Sequence, residues 1–124
     1  MRVTIVGAGY VGQVSAAGFA SLGHHVTLVD NDVDKITKVA RGLDTLGEPY
    51  LPDLLKASAN ESRLDFATSL EEVSNFGELV FICVGTPCPP GSDCFPQAVI
   101  QVASELGDLL RRDHLDFSVV VKST

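Results

Sequence analysis

Ile5-Val-Gly-Ala-Gly-Tyr-Val-Gly12 is a short apolar run that passes directly into a G-x-G-x-x-G turn. The pattern describes a β-strand, a glycine turn and the start of a helix. Gly7 permits the tight turn, Gly9 lets the backbone approach a pyrophosphate with no Cβ in the way, and Gly12 lets the helix pack closely on the strand. The helix N-terminus then faces the phosphates with unpaired N–H groups and the positive end of its dipole. A second strand, His25-Val-Thr-Leu-Val-Asp30, ends on a carboxylate suited to accept hydroxyls of the adenosine ribose. That carboxylate repels a 2′-phosphate, so the pattern favours NAD over NADP. Glycine-rich loops alone arise often by chance; a strand, three glycines, a helix and an acidic strand end in register are far more specific.

The chain has 124 residues, 45% of them apolar and 20% charged, the composition of one globular unit. No signal peptide and no apolar run long enough to span a bilayer is recognised. A formal charge of −7 argues against a nucleic-acid surface, which needs clustered Lys and Arg. Three cysteines, an odd number, suggest a reducing compartment rather than a disulfide framework, and cytoplasm is the default location.

Hydrophobic spacing predicts a first helix over Tyr10 to Leu22, with Val11, Val14, Gly18, Phe19 and Leu22 facing the sheet. A second helix over Asp32 to Arg41 turns Val33, Ile36, Val39 and Ala40 inward and stops at Gly42. Pro52 to Ala59 forms a short helix and Leu64 to Ala67 a third strand; Ser69 and Glu72 make a capping box opening a short helix through about Ser74. Leu79 to Val84, apolar throughout, is a central parallel strand covered on both faces. A turn-rich loop over Gly85 to Pro96, a helix over Gln97 to Arg112 and a strand over Phe117 to Val121 complete the chain. The whole is an α/β fold, a doubly wound Rossmann-type parallel sheet of order 3-2-1-4-5 with helices on both faces.

Five motifs, Gly7 to Gly12, Asp30-x-x-x-x-Lys35, Glu48-Pro49, Val84-Gly-Thr-Pro87 and Lys122-Ser-Thr124, fall in the order in which the chain resembles the NAD-binding half of nucleotide-sugar 6-dehydrogenases, the UDP-glucose and GDP-mannose dehydrogenase family. The resemblance covers essentially the whole chain. It implies an oxidoreductase of polysaccharide biosynthesis that converts a sugar C6 alcohol to the acid through a thioester on a cysteine, with two NAD consumed, in a homo-oligomer. It further implies that Gly7, Gly9 and Gly12 shape the cofactor turn, that Tyr10 and Val11 meet the pyrophosphate through their backbone, and that Asp30 holds the ribose. Lys35 would complement either Asp30 or the cofactor. Thr86, just past the fourth strand, would reach the cofactor with its hydroxyl. Thr124 would contact the cofactor and help position the reactive water, a catalytic role.

By the same resemblance, residues 1–124 form the cofactor domain alone, the substrate domain with its thiol nucleophile lies outside this chain, and the chain by itself is inactive. An alternative is a stand-alone NAD-sensing module without catalysis. Tyr50 and Pro52 depart from the residues that usually follow Glu-Pro, so the particular nucleotide sugar stays open among UDP-glucose, GDP-mannose and an N-acetylated relative. Cys83, inside an apolar strand, reads as a small buried hydrophobe. Cys88 and Cys94 flank Pro89-Pro-Gly-Ser-Asp93 at a spacing that permits a disulfide or a soft-metal site; without neighbouring histidines no metal site is assigned. His24, where the family often carries a loop histidine, reads as a hydrogen-bonding residue at the strand entrance.

Overall fold

Alternation along five short strands decides which residues meet which helices. A computed structural model describes residues 1–123. In it the strands β1 (Arg2–Val6), β2 (His25–Val29), β3 (Leu64–Ala67), β4 (Leu79–Ile82) and β5 (Ser118–Val121) form one parallel sheet in the order β3-β2-β1-β4-β5. Central β1 sets Ile5 beside Leu28 of β2 and Phe81 of β4. Val3, Ile5, Val26, Leu28 and Leu64 pack to one face, under α1 (Tyr10–Ser21), α2 (Val33–Ala40) and α3 (Leu51–Asn60). Val6, Val29, Ala67, Val80 and Ile82 pack to the other, against α4 (Gln97–Asp113) and a single 3-10 turn at Leu70–Glu72. The doubly wound sheet with helices on both faces is therefore the observed architecture.

Several local expectations are corrected. The buried face of α1 is not the branched stripe Val11, Val14, Gly18, Phe19 and Leu22. Gly12, Gln13, Ala16, Ala17 and Ala20 are buried, while Leu22 is 77% exposed. The glycine turn brings the helix so close to β1 that only small side chains fit between them, and Phe19 packs from the rim, its ring 5.3 Å from Phe81. In α2 only Ile36 and Val39 are buried; Val33 and Ala40 face solvent, because a short helix at this distance from the sheet turns just one i, i+3 pair inward.

The capping box at Ser69 is absent as well, since Ser69 makes no side-chain cap. Glu72 reaches one residue further back, accepting from the Thr68 N–H at 2.7 Å and the Thr68 hydroxyl at 2.9 Å. Those two donors hold the Glu72 carboxyl below its usual range, the backbone N–H contributing most. The fourth strand ends at Ile82 rather than Val84, although the Cys83 N–H still donates to the Val6 carbonyl at 2.7 Å.

One buried polar bond ties the sheet to its connections. Thr4, fully buried in β1, donates its hydroxyl to the Phe76 carbonyl at 2.9 Å, fixing the chain that leads into β4. On the opposite face Leu55, 1% exposed, is the main apolar anchor of α3 in the core. Leu55→Ala removes that anchor and is expected to cost about 2–5 kcal/mol of stability in urea unfolding. Arg112→Ala, which breaks the solvent-exposed pairs with Glu71 and Asp113, should leave the unfolding midpoint unmoved.

Candidate functional site

At the carboxyl ends of β1 and β4 the chain leaves the sheet in opposite directions, toward α1 on one face and α4 on the other. Such a divergence opens a crevice where doubly wound sheets bind ligands. Here it is a cleft of about 420 Å³. Val6, Gly7 and Gly9 form its floor, Asp30, Asn31 and Lys35 one wall, and Cys83, Val84 and Gly85 the other, with Ala98, Gln101, Val102 and Glu105 of α4 facing in.

The glycines divide by function. Gly7 sits at φ +108°, and a Cβ there would stand 2.7 Å from the carbonyl carbon and oxygen of Cys83. A Cβ on Gly12 would overlap the carbonyl oxygen of Gly7. Both are therefore required by the fold, Gly12 through contact with the turn itself rather than with the strand at large. At Gly9 a Cβ would meet nothing within 4 Å, so the protein has no internal reason to keep that space open. The first α1 hydrogen bond runs from the Gln13 N–H to the Gly9 carbonyl at 3.0 Å. The N–H groups of Tyr10, Val11 and Gly12 consequently have no acceptor within the helix, and no side chain caps them.

Asp30 follows β2 directly, and its side chain is 11% exposed. One carboxylate oxygen accepts from the Ala8 N–H at 2.7 Å and lies 3.4 Å from the Lys35 ammonium; the other accepts from the Asp32 N–H at 2.9 Å. The carboxylate is thus locked against the glycine turn, each oxygen retaining acceptor capacity toward the cleft. Lys35 pairs with Asp30 in this way, its side chain 35% exposed.

Thr86 lies just beyond the cleft wall. Its Oγ1 is buried and has no hydrogen-bond partner, which is costly in a folded protein unless a ligand supplies one. Cys83 lines the cleft as a buried free thiol, and burial pushes its pKa up, only partly countered by Lys122. Thr124, the remaining predicted site residue, lies outside the described residues. His24 meets the N-terminal amine at 3.1 Å and the edge of Phe19, away from the cleft, in keeping with a bonding role at the strand entrance.

The sequence reading missed Gln13. Buried in α1, it donates to the Ala8 carbonyl at 2.8 Å and to the Thr45 hydroxyl at 2.9 Å, pinning the glycine turn from behind. A long amide among Gly12, Ala16, Ala17 and Ala20 was the available signal. It missed too the α4 residues Gln101 and Glu105, joined at 3.1 Å, since nothing in a helix pattern says which residues will face a crevice. Cys88 and Cys94, whose spacing left a disulfide or a soft-metal site open, are joined as a disulfide with Cα atoms 4.3 Å apart, against the general expectation of a reducing compartment. The intervening Pro-Pro-Gly turn folds the two ends of the segment together.

An open space at Gly9, unpaired N–H groups behind it, a fixed carboxylate at the end of β2 and an orphaned hydroxyl across the cleft fit a dinucleotide. All 124 residues match the model of the UDP-glucose/GDP-mannose dehydrogenase family, NAD binding domain. The chain belongs to this family. It is 40% identical to a UDP-glucose 6-dehydrogenase from Pseudomonas aeruginosa over 124 residues, all of this chain and 27% of that protein. It is 34% identical to a UDP-glucose 6-dehydrogenase from Bacillus subtilis, again over its whole length and 28% of the relative's. Among solved structures it is similar to a ternary complex of GDP-mannose dehydrogenase from Pseudomonas aeruginosa, with a TM-score of 0.92 at 35% identity, covering 100% of this chain and 28% of that one. The chain thus spans little more than a quarter of the length of these relatives and corresponds to their NAD-binding domain.

The division among the glycines is testable in this domain. Gly9→Val should keep the native circular dichroism spectrum and unfolding midpoint yet lose NAD binding, since the branched side chain fills open cleft. Gly12→Ala should instead lower the yield of folded protein, because its methyl group meets backbone. A Gly9→Val protein that titrates normally with NAD would make this glycine incidental.

Proposed function

We propose that Gly9 and the N–H groups of Tyr10, Val11 and Gly12 receive the NAD pyrophosphate, that Asp30 accepts the adenosine ribose hydroxyls, and that Thr86 donates or accepts at the opposite wall. Gly7 and Gly12 serve by building the turn, and Lys35 by holding Asp30 aligned through their 3.4 Å ion pair. Thr124, one residue past the described chain, is assigned to the cofactor and to positioning the attacking water on family resemblance alone. The observation that carries this reading is the Asp30 carboxylate, tethered to the Ala8 N–H at the foot of the glycine turn, because it joins the ribose and phosphate determinants in one rigid unit.

The longer protein to which such a domain belongs is then an NAD-dependent nucleotide-sugar 6-dehydrogenase of polysaccharide biosynthesis, working in the cytoplasm. NAD, when bound, supplies the acceptor for hydride from the sugar C6. This chain's residues orient the cofactor and exclude groups that do not fit it. The substrate is a nucleotide sugar, a class common to relatives named for UDP-glucose and GDP-mannose. The one thiol among the described residues lining the cleft, Cys83, is buried and its pKa is pushed up. The match of residues 1–124 to the family's NAD-binding domain supports a role as the cofactor domain, with substrate chemistry supplied elsewhere in the longer protein. Association between copies is proposed on family resemblance alone.

Cofactor choice gives the sharpest test. NAD should bind well ahead of NADP, and Asp30→Ala should weaken NAD by about 1.5–3 kcal/mol while narrowing the NAD/NADP ratio. The ratio separates charge from structural damage, since loss of the Ala8 tether affects both cofactors alike. Equal affinities in the native protein would refute the ribose assignment.

Thr86→Val offers a complementary test with a readout that needs no cofactor. Removing an unpaired buried hydroxyl should leave stability of the free protein unchanged or raised, while NAD affinity falls. Supplied with NAD and either UDP-glucose or GDP-mannose, the 124-residue chain itself should form no NADH above background.

A further inference from the structure

The segment between β4 and α4 carries the two cysteines that the cofactor site leaves unused. Residues 87–97 are exposed throughout, and among the described residues every hydrogen bond made by 88–95 stays inside the segment. The Ser92 N–H donates to the Pro89 carbonyl at 3.2 Å, and Gly91 sits at φ +78°. Pro90 followed by this glycine has the residue pattern of a type II turn, which brings the two ends of the segment toward each other. Two residues before Cys88 is Thr86, with its orphaned hydroxyl; two residues after Cys94 is Pro96, which opens α4, and α4 turns Ala98 and Gln101 into the cleft. The Cys88–Cys94 bond therefore joins, through an otherwise untethered connection, two walls of one cleft.

We propose that Cys88 and Cys94 form a reversible thiol–disulfide site, a substrate for dithiol reductants, whose state sets the NAD affinity of the cleft. The inference rests on the assignment of that cleft to NAD. In the forward step a thiolate of the dithiol attacks Cys94 Sγ, the bond between the two cysteine sulfurs breaks, and Cys88 leaves as a thiolate that takes up a proton. The second thiol of the reductant then attacks the mixed disulfide, releasing Cys94 and a cyclic disulfide. Two electrons and two protons pass from the dithiol to the protein. Exposure of both cysteines gives the reductant access, and a small-molecule disulfide oxidant reforms the bond by the same exchange in reverse, its own sulfur–sulfur bond taking up the two electrons and leaving as two thiols. Cys83 stays out of the exchange because it is buried and its thiol pKa is raised. Once reduced, the connection gains freedom that cofactor binding must remove, so affinity falls.

The test compares the 124-residue chain before and after dithiothreitol, with alkylation and mass measurement, hydrogen exchange and NAD titration on each sample. The untreated chain should take no alkyl group at Cys88 or Cys94 under native conditions and two after reduction. Exchange should rise over 85–98 and not in β1 or α1, and the NAD dissociation constant should increase roughly three- to tenfold. A Cys88→Ser/Cys94→Ser chain should show the weaker affinity with or without reductant. Two alkylated thiols before reduction would overturn the proposal, as would an NAD affinity equal in both states or a double variant that still responds. If neither state binds NAD, the cofactor assignment falls with it; if the untreated chain binds and reduction changes nothing, only the redox coupling is lost.

Discussion

The rest of this structure depends on how closely α1 approaches β1. A side chain at Gly12 would occupy the position of the Gly7 carbonyl oxygen, and one at Gly7 would press on the Cys83 backbone from β4. Three chain segments therefore converge where none has room for a Cβ. That convergence forces the small-residue face Gly12, Ala16, Ala17 and Ala20 on α1. It also aims the N-terminus of α1 at the crevice beside β4. Helix–sheet packing and ligand geometry follow from one steric constraint, so a sequence cannot relax the first without losing the second.

Asp30 extends the same constraint to the neighbouring strand. By accepting from the Ala8 N–H, it satisfies a buried donor inside the glycine turn, and by pairing with Lys35 it offsets its own charge. A free carboxylate at a strand end would have to be ordered when a ligand arrives. This one is already ordered, so that conformational cost is met on folding rather than on binding. Gln13 does the equivalent work from the far side of the turn, through the Ala8 carbonyl. Both backbone groups of Ala8, fully buried, are thereby held by side chains from separate elements.

How much of this was legible beforehand varied with the physics involved. Strand order, β3 to the residue, and the glycine turn were readable because they rest on short apolar runs between turn signals and on residues with few conformational uses. The inward face of α1 was not. Hydrophobicity placed Val14 and Leu22 inside, whereas closeness to the strand selected alanines, and spacing alone does not reveal how far apart two elements will pack. The Glu72 contact moved from Ser69 to Thr68 because a 3-10 turn, tighter than the α-helix the capping box presumes, redirects the side chain. Gln101 and Glu105 became cleft residues only once the β4–α4 connection set the rotation of α4. For the cysteine pair the spacing allowed a disulfide without deciding it, because counting thiols speaks to compartment, while turn geometry decides which thiols meet.

Charge raises a last question, since a chain of net −7 is assigned a cofactor whose pyrophosphate is itself anionic. Among the described residues lining the cleft Lys35 is the only cation, and Asp30 already engages it. Within this domain the proposed phosphate contacts are therefore neutral groups, the N–H donors and partial positive charge at the start of α1. Such donors act over a few ångströms and depend on exact contact, unlike a field of lysines, which draws in any polyanion from a distance. The arrangement consequently rewards shape, with the phosphates close against Gly9 and the ribose against Asp30. On the proposed assignment it also disfavours a further phosphate, which would stand beside the Asp30 carboxylate. An acidic surface and a short-range phosphate site thus work together: the first discourages indiscriminate anion binding, and the second admits one ligand whose geometry lets it come near enough.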